Sequence, residues 1–130
     1  ERARNRNQES LNTPFEILMS LGGREQAAIC GALVSARCHN IPVIIDGFIA
    51  SSAIAPLVSV DRIYDHVIFA HQSAEAGHGR LLSKLGKVPM FDLGMRLGEG
   101  SGAALALSII RASLACHNGM ATFAEAGIGE

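Results

Sequence analysis

Two uninterrupted apolar runs rich in β-branched residues, Ile41-Pro42-Val43-Ile44-Ile45 and Val67-Ile68-Phe69-Ala70, stand on either side of a segment with helical character and constrain this chain most. Runs without polar alternation belong to strands covered on both faces, as in parallel sheets. A third run, Pro89-Met90-Phe91-Asp92-Leu93, predicts another strand. The spacing around them predicts helices. Thr13-Pro14-Phe15-Glu16 supplies an N-cap, a proline at the first helical position and a glutamate three residues after the cap, and Gly22-Gly23 ends the helix that starts there. Between Arg24 and Cys38, Ala28, Ile29, Ala32, Leu33 and Ala36 recur at helical spacing and predict a helix with one buried stripe. Ile49 to Val60 predicts a helix kinked near Pro56, Leu81, Leu82 and Leu85 mark a short one, and Ala103 to about His117 forms the last.

Strands that alternate with helices imply right-handed crossovers, and hence an α/β fold with a three-layer α/β/α arrangement around a mainly parallel, Rossmann-like sheet. The strand exits at Asp46, at His71 to His78 and at Leu93 to Gly102 then gather at one edge, where open α/β sheets bind ligands. At 130 residues the chain is one domain or part of one. It begins at Glu1 rather than Met and stops at Glu130, and is expected to be a piece of a longer protein. Residues 1–12 read as a polar arm, disordered or docked elsewhere, and residues 13–130 as the folded portion. With 18% charged residues and a formal net charge of -1, nothing in the composition points to nucleic acid. Cys30, Cys38 and Cys116 show neither disulfide-framework nor zinc spacing and read as packing residues. The cysteine usage fits a reducing compartment, and with no signal-peptide pattern or membrane-length apolar segment no membrane contact is expected.

Met95-Arg96-Leu97-Gly98-Glu99-Gly100-Ser101-Gly102 carries the chemistry. Three glycines within five residues are kept where only a missing Cβ allows the backbone geometry or the approach of a ligand. Glu99 is the one carboxylate there. The apolar run that follows starts a helix whose free N–H groups point back into the loop and attract anions. There is no Gly-Lys-Ser/Thr for a triphosphate loop and no correctly placed Gly-x-Gly-x-x-Gly, so nucleotide-triphosphate and dinucleotide readings are weak.

Residues 41–49, Ala70-His71-Gln72-Ser73-Ala74-Glu75, Met95 to Ala106 and Met120-Ala121-Thr122-Phe123 together resemble the C-terminal part of the nicotinate-nucleotide:dimethylbenzimidazole phosphoribosyltransferase family. The resemblance runs from about Pro14 to Gly127. It implies an enzyme that moves the phosphoribosyl group of nicotinate mononucleotide onto 5,6-dimethylbenzimidazole, giving α-ribazole 5′-phosphate and nicotinate for cobalamin nucleotide-loop assembly. By the same resemblance the enzyme is a cytoplasmic homodimer, and its mechanism calls for no metal and no cofactor. Glu99 falls on the family's general base, Leu97 on a residue against the benzimidazole, and Ser73 and Gly102 on residues near the phosphate and ribose. Asp46 and Gly100 belong to the same site. The family's longer N-terminal part, which supplies the benzimidazole pocket, a second acidic residue and a lysine toward the phosphate, has no counterpart here. By itself the chain is therefore expected to be inactive.

The chemistry fits those residue types. One benzimidazole nitrogen attacks the anomeric carbon while the other still holds a proton, and a carboxylate that takes this proton keeps the ring neutral. Partial burial among Leu97, Met95 and glycines is expected to raise the pKa of Glu99. Blander readings stand beside these. Glu99 also suits a helix start, where a carboxylate complements the macrodipole; Ser101 reads as a plain N-cap; Asp46 is either a site residue or the cap of the helix that follows it. His71 and His78, without a third ligand, read as structural or solvated rather than metal-binding. Arg96 reads as pairing with a neighbouring carboxylate or a partner subunit. The alternative for the whole chain is a noncatalytic phosphate- or base-binding or dimerisation module.

Overall fold

The structure is a computed structural model that describes residues 1–7 and 11–128. Its helices are α1 (Arg2–Arg6), α2 (Pro14–Leu21), α3 (Arg24–Cys38), α4 (Phe48–Ile54), α5 (His78–Leu85) and α6 (Ser101–Gly119), and its strands β1 (Val43–Ile45) and β2 (Val67–Phe69). The part of the N-terminal arm that is described forms α1, which buries nothing; residues 8–10 of the arm lie outside the described residues.

β1 and β2 pair in parallel, with Val43 opposite Val67, Ile44 opposite Ile68 and Ile45 opposite Phe69. The expected third strand is reduced to one parallel bridge between His71 and Phe91. Met90 N–H donates to the Phe69 carbonyl at 2.9 Å and Gln72 N–H to the Phe91 carbonyl at 2.9 Å, so this segment lies along the other side of β2. Pro89 has no N–H to give, and Asp92 turns the chain away by accepting from Gly94 N–H and the Gln72 amide. The first strand is also shorter than expected. Asn40 at a φ of 55° and Pro42 keep Ile41 out of it, and Ile41 stands exposed.

The capping box at Thr13 forms: Thr13 Oγ1 accepts from Glu16 N–H, and a Glu16 carboxylate oxygen accepts from Thr13 N–H at 2.9 Å. In α3 the inward stripe is Gln26, Ile29, Cys30, Leu33 and Ala36, while Ala28 and Ala32 face outward, one helical position off the expected line. The helix from Phe48 tightens at Pro56 into a 3₁₀ turn, Ala55–Ser59, in place of a kinked α-helix. The core joins Cys30 and Leu33 of α3, Ile45, Ile54, Leu57, Ile63, Tyr64, Phe69 and Leu82. Of the three cysteines only Cys30 packs there. Cys38, at the last position of α3, and Cys116, on the outer half of α6, are exposed, which corrects the packing reading for both.

α6 starts two residues earlier than expected, at Ser101, and touches β1 through its first turns; Gly102 and Ala106 are its buried residues. From Arg111 to Gly119 it is exposed throughout. No described helix is long and apolar enough to cross a membrane.

Candidate active site

The three strand-exit segments meet at one edge, and a single hydrogen bond ties the first to the last. Asp46, directly after β1, accepts from the backbone N–H of Ala103 through Oδ1 at 2.7 Å. That bond satisfies one of the free donors at the start of α6 from 57 residues away. Asp46 therefore caps the last helix rather than the one that follows it. Ser101 is not the cap either; Gly100 holds the N-cap position, and no side-chain bond is made from it.

Gly98, Glu99 and Gly100 have φ values of 84°, 57° and 73°, and Ser101 N–H donates to the Gly98 carbonyl at 3.0 Å. Two consecutive central residues at positive φ with that bond make a type I′ turn. Glycine occupies such a conformation freely, whereas glutamate does so at a cost on the order of 1 kcal/mol. The turn presents Glu99 at the open end of α6. The burial expected around it is not found among the described residues: Glu99 is exposed, and Leu97 is 79% exposed.

Behind the turn lies a buried polar cluster. His78 is 1% exposed; its Nδ1 accepts from Ser73 N–H at 2.9 Å, so the proton sits on Nε2 and is donated to Ser51 Oγ at 3.0 Å. This bond fixes the backbone of Ser73, itself 5% exposed. His71, 4% exposed, stacks on Phe91 with ring centroids 5.9 Å apart and meets His78 edge-on. Both histidines are buried, and neither belongs to a metal-binding group among the described residues. Gly102 is needed for close approach. A Cβ on it would fall on His71 Cδ2 and lie 3.0 Å from Asp46 Oδ1.

A cavity of about 310 Å³ opens at this edge, lined by Asp46, His71, Ser73, Glu75, Arg96 and Glu99 with apolar support from Ile29 and Phe48. Asp46, Ser73 and Glu99 are thus brought together as expected. Gly102 sits in the packing behind the cavity, while Leu97 and Gly100 lie outside its lining. His71, Glu75 and Arg96 are lining residues that the sequence did not mark as belonging to the site. Arg96 has no carboxylate within ion-pair distance among the described residues, so the expected pairing with a neighbour is not made.

A family model described as phosphoribosyltransferase matches residues 1–128. The chain belongs to this phosphoribosyltransferase family. It is 58% identical over 131 aligned positions to the nicotinate-nucleotide-dimethylbenzimidazole phosphoribosyltransferase of Novosphingobium aromaticivorans, covering 100% of this chain and 39% of that one. To the protein of the same name from Brucella anthropi it is 57% identical, covering 93% of this chain and 36% of the other. Among solved structures, the nicotinate-nucleotide-dimethylbenzimidazole phosphoribosyltransferase of Thermus thermophilus superposes with a TM-score of 0.80 at 36% identity, over 90% of this chain and 36% of that one. A second solved chain from that organism, CobT, gives a TM-score of 0.85 at 35% identity, over 99% and 38%. The chain thus spans little more than a third of the curated relatives' length.

In this phosphoribosyltransferase chain the His78 arrangement predicts a pH dependence. Burial, and to a smaller degree the neighbouring His71, hold the His78 pKa below its ordinary value, against a smaller opposing pull from Glu75. The unfolded chain then binds a proton that the folded one resists. The stability contribution is therefore fully present above the unfolded pKa of about 6.5 and is lost as pH falls from there through the folded value. Urea melts between pH 8 and pH 5 are expected to show this loss, and a His78→Gln variant is expected to flatten that part of the profile. An equal slope in wild type and variant would exclude His78 as its source.

Proposed function

We propose that the cavity at the strand exits is part of the site at which the full-length enzyme transfers the phosphoribosyl group of nicotinate mononucleotide to 5,6-dimethylbenzimidazole. Residues 13–130 then form the C-terminal part of the catalytic domain. The observation that carries the reading is the convergence of Glu99, Asp46 and Ser73 on one cavity in a chain of this family. The relatives' names supply the substrates.

In this reading a benzimidazole nitrogen forms a bond to the anomeric carbon as the bond from that carbon to the pyridinium nitrogen breaks. The electron pair returns to the pyridine ring, so nicotinate leaves without needing an acid. The proton on the second benzimidazole nitrogen passes to Glu99. Exposure of Glu99 on this chain leaves both carboxylate oxygens open to an incoming ring. Leu97, exposed on the same loop, offers an apolar surface for that ring. Ser73, at the cavity, and the backbone from Gly100 to Gly102, at the start of α6, are assigned in this reading to the phosphate and ribose, a role supported by the anion preference of a helix start. Positioning of the anomeric carbon then supplies much of the rate. The reading further includes a homodimer in the cytoplasm, which light scattering on the full-length protein tests in its first part.

Arg96 has a definite place in this scheme. The mononucleotide brings a phosphate and a carboxylate to a cavity lined by Asp46, Glu75 and Glu99, and Arg96 supplies a guanidinium to that lining. Arg96→Ala is expected to raise KM for nicotinate mononucleotide by about tenfold or more, as loss of a charge-assisted contact does, with a smaller change in KM for the benzimidazole. Steady-state kinetics varying each substrate checks this, and equal KM values for the mononucleotide would remove Arg96 from its binding. The direct test of the function is nicotinate release by the full-length protein from the mononucleotide plus dimethylbenzimidazole. No release above a no-enzyme control would overturn the reading in favour of a noncatalytic module.

A further inference from the structure

We propose that His71 is a positioning residue of this site, a polar wedge that sets the start of α6 and the Asp46 carboxylate and so aims the turn that carries Glu99. The inference rests on the transfer reading for what Glu99 does, and on packing alone for what His71 does.

The imidazole occupies the space between the ends of both strands and the first turn of α6. One face stacks on Phe91, the segment that pairs beside β2. Its Nε2 lies 3.1 Å from where a Cβ on Gly47 would be and 2.6 Å from where one on Gly102 would be. Asp46 Oδ1 is 3.0 Å from the same point above Gly102, so the imidazole edge and the capping carboxylate share one small space. The ring lies against Gly102 and the next residue's N–H is bound to that oxygen, so a shift of the ring is passed through the start of α6 to the cap and to the Gly98–Ser101 turn.

Volume alone does not account for a histidine there. Phenylalanine would fill the slot and stack on Phe91 without burying a polar atom. His71 Nδ1 is instead buried with no hydrogen-bond partner among the described residues, an arrangement that carries an uncompensated desolvation penalty. The other nitrogen is directed toward Gly47 and Gly102, the side on which Asp46 Oδ1 also lies, and that is where a polar edge has a use. An apolar ring there would press a hydrocarbon edge against Asp46 and favour its swing toward water, away from Ala103.

The test compares His71→Phe and His71→Gln in the full-length enzyme. His71→Phe is expected to lower kcat by about 10²-fold, the loss that follows a small misplacement of a reacting group, while KM for the mononucleotide stays within about threefold. His71→Gln, which returns a polar edge, is expected to recover at least half of that loss on a logarithmic scale. Hydrogen exchange over residues 98–104 is expected to quicken in His71→Phe and to stay at the wild-type rate in Glu99→Gln. A kcat within twofold of wild type in His71→Phe overturns the proposal. So does a fall of kcat and Tm together with a rise in KM that His71→Gln fails to reverse, since that pattern is plain loss of packing. If the wild-type enzyme releases no nicotinate, the transfer reading fails, and the exchange comparison still decides the positioning role: unchanged exchange in His71→Phe ends it.

Discussion

Glu99→Gln in the full-length enzyme is expected to lower kcat by about 10²- to 10⁴-fold, the range that a positioned general base contributes, and to leave the melting temperature where it was. The two halves of that expectation come from different facts. An amide keeps the shape of the side chain but has no lone pair basic enough to take the benzimidazole proton. The side chain is exposed and makes no hydrogen bond or ion pair among the described residues, and the amide keeps its size and shape, so the change alters its chemistry with little change in packing. A second substitution separates strain from chemistry. Glu99→Gly releases the cost of holding a glutamate at a φ of 57° and is expected to raise stability by on the order of 1 kcal/mol while losing activity as Glu99→Gln does. Denaturant melts and single-turnover nicotinate release measure the two effects. A fully active glycine variant would remove Glu99 as the base, and one no more stable than wild type would remove the strain.

Gly102→Ala is the second substitution of large expected effect. In an ordinary helix the change would stabilise by up to about 1 kcal/mol. Here the new methyl would fall on the His71 ring, which cannot retreat because Phe91 stacks on it and His78 stands at its edge. Relief has to come from moving the start of α6 outward, which stretches the bond from Asp46 Oδ1 to Ala103. Overpacking costs about 1–3 kcal/mol and loss of the cap about 1 more, so a net destabilisation of about 2 kcal/mol is expected. Activity should fall with it, because Glu99 rides on the same turn. Chemical denaturation of the full-length protein checks the first claim. A melt at or above that of wild type would mean that the ring yields easily.

Much of this arrangement is legible in the residues because the relevant signals are local. Helix α3 runs from Arg24 to Cys38 as its periodicity and the preceding Gly22-Gly23 require, and the Thr13–Glu16 box needs only four consecutive residues. The clustering of glycines around Glu99 points to an unusual backbone, and positive φ values at 98, 99 and 100 supply it. Less is legible where the deciding partner is distant. Nothing near Asp46 in sequence says that its carboxylate serves Ala103, and the roles its neighbours suggest are nearby ones. His71 reads as a loop histidine because the residues around it, Gly47, Phe91 and Gly102, come from three other segments. One trace of it is visible: a glycine early in an otherwise apolar helix, whose missing side chain is the space the imidazole fills. The expected burial of Glu99 fails for a different reason: the chain spans little more than a third of its relatives' length, and among the described residues none covers the turn.

The bond between Asp46 and Ala103 also bears on how such a chain acquires its activity. Contacts of large sequence separation form late, because the loop they close must be ordered first. A ribosome that has emitted the polypeptide as far as Phe91 has released the carboxylate and both strands, yet nothing that the carboxylate can hold. Maturation of the reactive end should therefore trail consolidation of the hydrophobic centre, and recovery of turnover after dilution from urea should lag behind recovery of helical ellipticity.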